Sequence, residues 1–147
     1  MSKYTAIQYV VYLLARRDYS EYELRQKMAQ KEYSENEIDE AIFDAQTQNW
    51  QSDERFCESY IRYRSSAGFG IRKIQYELQR KGVSSDIISR KIDESEVDWY
   101  SLAETVFFKK KPSDWDMKAK QKMWRFMMSR GFDSEYFSDL MNGHYDE

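Results

Sequence analysis

Apolar residues return along this chain in three copies of one pattern. The first copy places Leu24 and Met28 four residues apart and then, after a polar break, Ile38 and Ile42. The second places Ile74 and Leu78 before Ile88 and Ile92, and the third places Met123 and Met127 before Phe137 and Met141. A spacing of i and i+4 puts both residues on one side of a helix, so each copy reads as helix, tight turn, helix. Successive copies are offset by 50 and then 49 residues. Self-similarity at such a period marks stacked supersecondary units.

A further helix is predicted ahead of each pair, over about residues 6–16, 54–64 and 100–110. Ile7, Val10, Val11 and Leu14 carry the first, Phe56, Tyr60 and Ile61 the second, and Leu102, Val106 and Phe107 the third. The fold class that follows is all-α: three tandem three-helix, helix-turn-helix-like repeats at 1–50, 51–99 and 100–147, in an elongated, curved molecule. Gly82 and Gly131 fall where the middle helix of a repeat must end, a position that calls for a left-handed residue. Glu32 holds that place in the first repeat, which predicts a more strained turn. Ser20 with Glu23, and Ser34 with Glu37, fit capping boxes, and Asp133 or Ser134 is placed to cap the last helix. Pro112 interrupts the third repeat between its first two helices.

Composition agrees with helix. Five Gly and one Pro are too few turn residues for a sandwich or barrel of 147 residues. Twenty-four aromatic residues argue for a packed core against disorder. The single cysteine, Cys57, excludes an intrachain disulfide and fits a reducing, cytoplasmic location. The longest apolar run, Tyr9 to Ala15, is far short of a bilayer span, and no signal peptide is predicted.

The net charge of −3 hides a segregated distribution. Nine Lys/Arg and three Asp/Glu lie between Arg55 and Lys91, and eight Lys/Arg with two Asp lie between Lys109 and Arg130. Residues 1–50 carry six bases and nine acids. Such segregation orients a charged partner, although helical proteins also scatter charge unevenly.

Catalytic chemistry finds little to work with. His144 stands alone near the end of the sequence, where nothing positions it as a base. Cys57 sits beside Phe56 in an amphipathic helix and reads as a small packed residue. One Cys and one His cannot form a structural zinc site. No cofactor motif is present, since Gly68-Phe69-Gly70 lacks the Lys-Ser or Lys-Thr of a phosphate-binding loop. It reads as an inter-helix turn with Phe69 packed inward. Arg72 and Lys73 at the next helix start offer a place for an anion. Phe56, Tyr60, Phe107, Phe126, Phe132 and Phe137 keep core spacing, while Tyr4, Tyr9, Tyr12, Tyr19 and Tyr22 crowd the N-terminal region and leave an exposed aromatic patch for protein contact. The helices that would read DNA, beginning near Ser34, Ser84 and Asp133, are acidic or neutral, which disfavours base readout.

Several segments together resemble the RecX family. They are Asp53-Glu54-Arg55-Phe56, then Arg64 with Gly68-Phe69-Gly70, then Glu77-Leu78-Gln79-Arg80-Lys81-Gly82. Upstream, Arg16-Arg17-Asp18-Tyr19-Ser20-Glu21-Tyr22-Glu23-Leu24 is similar to the family's opening element, and Arg125-Phe126-Met127-Met128-Ser129-Arg130-Gly131-Phe132 to its third repeat. The resemblance covers about residues 6–141, with Ser52 in place of an acid and Glu32 in place of a glycine as departures.

The resemblance implies a non-enzymatic regulator, without cofactor or metal. It would dock on the RecA filament on DNA and inhibit filament growth, ATP hydrolysis, strand exchange and co-protease activity. The contact set expected on that basis is Arg16, Arg17, Arg25, Arg55, Arg64, Arg72, Lys73, Arg80 and Lys81, meeting acidic filament surfaces or the DNA backbone. Arg55 and Arg64 have an alternative as structural partners of Asp53 or another carboxylate. A monomer without membrane contact, weak direct DNA contact at most, is expected. The competing readings are a tandem helix-turn-helix DNA binder and a generic helical adaptor.

Overall fold

The computed structural model describes residues 4–143, so His144 lies outside the described residues. Nine α-helices and no strand occur among them. They are α1 (Ala6–Leu14), α2 (Glu21–Gln30), α3 (Glu35–Thr47), α4 (Asp53–Ser66), α5 (Ile71–Arg80), α6 (Ser85–Glu94), α7 (Trp99–Lys110), α8 (Met117–Ser129) and α9 (Ser138–Met141), with a 3₁₀ turn at Ser134–Tyr136.

The helix starts are written in local chemistry. Ser20 and Ser34 each accept from the amide three residues on, while Glu23 and Glu37 accept from the cap amide in return. Thr5 and Gln8 make the same reciprocal pair ahead of α1. The three middle helices end in a left-handed residue: Glu32 at φ 67°, Gly82 at 79° and Gly131 at 97°. Glu32 therefore adopts the glycine conformation at the steric cost its Cβ imposes.

The end of the third repeat departs from the sequence expectation. The helix anticipated through Phe137 and Met141 is divided, with Phe137 at φ −138° between the 3₁₀ turn and α9. Asp133 occupies the cap position but makes no side-chain cap bond. Its carboxylate accepts instead from Arg72 Nε at 3.0 Å.

The described chain forms two compact units. One holds the residues up to Ser59 with Leu78–Asp93, and the other Tyr60–Glu77 with the chain from Glu94 onward. Ala6, Val10, Leu13, Leu24, Met28, Ile38, Ile42 and Ala45 form the core of the first. Val106, Phe107, Met123, Met127, Phe132, Phe137 and Leu140 form the core of the second. Phe56, Cys57, Ile61, Ile74, Leu78, Val83, Ile88 and Ile92 of the middle repeat are also buried. Each fully buried aliphatic or aromatic side chain contributes about 1.5–3 kcal/mol over an exposed one.

One joint is built in each unit. In the first, the start of α2 meets the turn after α5: Ser20 Oγ donates to the Lys81 carbonyl at 2.7 Å. A Cβ on Gly82 would fall 2.4 Å from Tyr22 Cβ. In the second, the start of α5 meets the turn after α8: the Gly70 amide donates to the Arg130 carbonyl at 2.8 Å and the Arg72 amide to the Gly131 carbonyl at 3.0 Å. A Cβ on Gly131 would fall 2.5 Å from the Lys73 backbone nitrogen. The repeat offset maps Ser20 onto Gly70, Lys81 onto Arg130 and Gly82 onto Gly131, so the two joints are copies.

Replacing Glu32 by Gly relieves a left-handed Cβ and is expected to stabilise the protein by about 1 kcal/mol. Gly131→Ala is expected to cost about 3 kcal/mol, because backbone and not a movable side chain blocks the new methyl. Urea unfolding followed by circular dichroism measures both. A destabilised Glu32→Gly, or a neutral Gly131→Ala, contradicts this account.

Candidate partner-binding surfaces

In the first unit Arg16, Arg17, Arg25 and Lys81, predicted to touch a partner, meet internal acceptors. Arg17 lies 3.6 Å over the Tyr19 ring and pairs with Glu23 at 3.3 Å. Lys81 reaches the same carboxylate at 3.1 Å, so Arg17 and Lys81 converge on Glu23. Arg25 bridges Glu21 at 2.9 Å and Asp39 at 2.7 Å. Arg16 is exposed and donates to the Tyr12 hydroxyl at 3.2 Å. Arg80 is exposed on the last residue of α5.

Arg55 is a structural cation here. Its guanidinium donates to the carbonyls of Asn49 at 3.0 Å and Trp50 at 2.9 Å, closing the chain just beyond α3. Asp53 is engaged elsewhere, accepting from the Glu21 amide at 2.9 Å and from Gln51 at 3.0 Å. In the structure Arg55 therefore has carbonyls rather than Asp53 as its partners.

The second unit contains a two-pronged pair. Arg64 grips Glu77 with two parallel bonds of 2.8 Å, both side chains less than a fifth exposed. The Tyr60 hydroxyl donates to the same carboxylate at 3.0 Å, and Lys73 approaches it at 4.0 Å. Such a fork-to-carboxylate geometry is among the stronger charge-assisted bonds. Arg72 is 69% exposed beside Asp133.

Phe69 does not pack into the core as its sequence position implied. It is half-buried, with the Arg64 guanidinium 3.9 Å and the Arg130 guanidinium 4.4 Å from its ring centre. Its ring thus lies within reach of both guanidinium groups, and Arg130 also approaches Phe126 at 5.3 Å. Tyr60 and Phe126 are likewise half-buried, whereas Phe56, Phe107, Phe132 and Phe137 are core. Of the N-terminal tyrosines, Tyr4, Tyr12 and Tyr22 are exposed, and Tyr9 and Tyr19 are buried. Sequence reading missed Arg130, Glu23 and Glu77 as organising groups. The signal available for Arg130 was its equivalence to Lys81 across the repeat.

The titrating groups are tuned for structure. Burial pushes the Glu77 carboxyl up, but the hydrogen bonds from Arg64 and Tyr60 outweigh it and leave the group below its ordinary value. Glu23 behaves alike, lowered by the Ser20 amide, Arg17 and Lys81 against its burial. Burial, with Glu77 adding, pushes the Tyr60 hydroxyl up to about 12. The Cys57 thiol is fully buried and is pushed up to about 11 by that burial, which leaves almost no thiolate at neutral pH. Among the described residues no cluster of His, Cys, Asp and Glu is arranged to hold a metal ion. No helix among them is long and apolar enough to cross a membrane.

Comparison with known proteins bears on all three repeats. Residues 6–42, 52–91 and 100–138 match the models of the RecX first, second and third three-helix domains, in that order. The chain is 56% identical over 142 residues to "Regulatory protein RecX" of Haemophilus ducreyi, covering 97% of this chain and 94% of that one. It is 55% identical over 147 residues to the protein of the same name from Actinobacillus pleuropneumoniae serotype 5b, covering 100% and 97%. The crystal structure of RecX from Lactobacillus salivarius superposes with a TM-score of 0.82 at 17% identity, covering 95% of this chain and 94% of that one. A second crystal structure, of a regulatory protein RecX, gives 0.78 at 16%, covering 94% and 70%. At those identities the structural likeness speaks for the fold.

Glu77→Gln is expected to cost about 2 kcal/mol at pH 7, since it leaves Arg64 without its charged partner. The folded carboxyl lies below the unfolded value of about 4.3. Its stabilisation is therefore complete above that pH and is lost as pH falls through the folded value. The variant should show a shallower loss of stability on acidification than the parent. Chemical unfolding from pH 7 down to 3 measures this, and identical slopes would remove Glu77 from the account.

Proposed function

The chain belongs to the RecX family of regulatory proteins, and on that premise we propose that it binds the RecA nucleoprotein filament and restrains it. The observation that carries the reading is the ordered match of all three three-helix domains along a chain whose relatives bear the regulatory name over nearly their full length. On this reading the protein limits filament growth and thereby RecA's ATP hydrolysis, strand exchange and co-protease activity. It acts in the cytoplasm through its three repeats, at 1–50, 51–99 and 100–147, and carries out no chemistry of its own. The buried, protonated Cys57 thiol supports a binding rather than a catalytic role.

On this reading the nine proposed contact residues differ in how directly they act. Arg72, Arg16 and Arg80 are exposed and suit direct contact. Arg17, Arg25, Lys73 and Lys81 hold internal acids yet keep enough exposure to exchange them for an external one. Arg55 and Arg64 act at one remove, by fixing the end of α3 and the turn at Phe69. Exposed cations of this kind govern encounter and specificity more than raw affinity, and their effect weakens with salt.

Added at well below one molecule per RecA, the protein should slow single-strand-dependent ATP hydrolysis by RecA during filament assembly. Arg72→Gln combined with Lys73→Gln removes two charges without placing a new acid beside Asp133 and Glu77. That variant should need about tenfold more protein for equal inhibition at unchanged helicity. No inhibition by the parent protein at low salt during filament assembly would overturn the reading, and tight salt-dependent binding to naked DNA would replace it with a DNA-binding one.

A further inference from the structure

The two copies of the joint differ in charge. In the first unit the cation of the turn, Lys81, is answered by Glu23, and Arg17 joins it there. The repeat offset places Lys73 where Glu23 stands and Ala67 where Arg17 stands. The second unit therefore has a cation in place of the acid and a methyl in place of a long side chain. Arg130, the counterpart of Lys81, finds no carboxylate among the described residues. Its guanidinium makes one hydrogen bond, to the Ala67 carbonyl at 3.4 Å, and rests on Phe69. Four of its five N–H donors remain for another acceptor.

Ala67 and Arg130 both line a groove of about 380 Å³. Its cationic wall is Lys109, Lys110 and Arg130, and its apolar floor is Leu102, Val106 and Phe126. No carboxylate lines it. None of the three cations forms an ion pair with a described residue, in contrast to Arg17, Arg25, Arg64 and Lys81. Lys110 Nζ and the Arg130 guanidinium lie 5.1 and 5.3 Å from the Phe126 ring centre, so this ring is occupied by cations.

We infer that this groove, between the Ser66–Gly68 turn and the helices α7 and α8, is a docking site for an acidic peptide segment of a protein partner. A partner carboxylate takes the place on Arg130 that Glu23 takes on Lys81, with Lys109 and Lys110 neutralising a second acid. A neighbouring apolar side chain fills the floor over Val106 and Phe126. The size is that of a pocket for a few side chains. A single nucleic-acid strand fits less well, because such strands are held by free aromatic faces on which bases stack, and Phe126 offers none. The site uses none of the nine cations assigned to the filament contact, so it stands or falls separately from that reading. Phe69 is a positioning residue, holding the Arg130 guanidinium over the groove.

A short fluorescein-labelled peptide of alternating glutamate and leucine is the probe, read by fluorescence anisotropy against the full-length protein without RecA. It should bind, and its glutamine counterpart should bind about tenfold more weakly or less. Thr105 lines the groove one turn before Lys109, so Thr105→Glu installs an internal acid at the favourable i, i+4 spacing. That variant should lose the peptide by about tenfold while keeping its helicity, because Thr105 is exposed and its hydroxyl bonds only within α7. Lys109→Gln should weaken binding to a smaller degree. Equal binding by the parent protein and Thr105→Glu overturns the proposal. So does an oligothymidylate that binds the parent more tightly than the peptide does and is likewise lost in Thr105→Glu, since the groove would then be a nucleic-acid site.

Discussion

The meeting of one helix's start with the turn that ends another constrains everything else in each unit. A helix begins with amides that have no intrahelical partner and ends with carbonyls in the same condition. In the second unit the Gly70 and Arg72 amides at the start of α5 donate to the Arg130 and Gly131 carbonyls beyond α8. Two sets of orphaned groups thus satisfy one another away from water. The bonds require main chains at about 3 Å separation, which a Cβ at Gly70 or Gly131 would prevent. The glycines are there because the backbone itself is the contact surface.

The first unit solves the same problem with different atoms. Ser20 Oγ, not an amide, donates to the Lys81 carbonyl, while the Ser20 amide is satisfied by Glu23. Ser20 also caps α2 and is fully buried. One hydroxyl therefore serves the helix start and the joint together. Glu23 likewise closes the capping box and neutralises Arg17 and Lys81. These shared duties explain why its carboxyl stays ionised below the ordinary range in spite of burial.

Charge on the surface follows from how each repeat fills these positions. Where an acid stands beside the turn, the cations close internally. Where Lys73 stands there instead, the neighbouring acid is Glu77, and Arg64 and Tyr60 already hold it. Of the eight cations counted between Lys109 and Arg130, three line one groove without an ion pair to a described residue. A net charge of −3 for the whole chain carries no hint of that local arrangement.

Most of the helices, the caps at Ser20 and Ser34 and the left-handed turns were legible in the sequence because each depends on residues within four positions of one another. Ser34 and Glu37, the glycine place at Glu32, and the i, i+4 pairs Leu24–Met28 and Ile74–Leu78 needed no tertiary information. The family resemblance was legible for the same reason, since it rests on the order of such local elements. The roles of Arg55, Asp133 and Phe69 were not legible. Arg55 turned to the carbonyls of Asn49 and Trp50, the Asp133 carboxylate accepted from Arg72 sixty-one residues away instead of capping, and Phe69 became a shelf between two guanidinium groups. The sequence alone determined which groups seek partners, because that is a property of each side chain and its near neighbours. Only the tertiary structure decided which partner each one finds, because long-range hydrogen bonds and ion pairs depend on distances that folding sets.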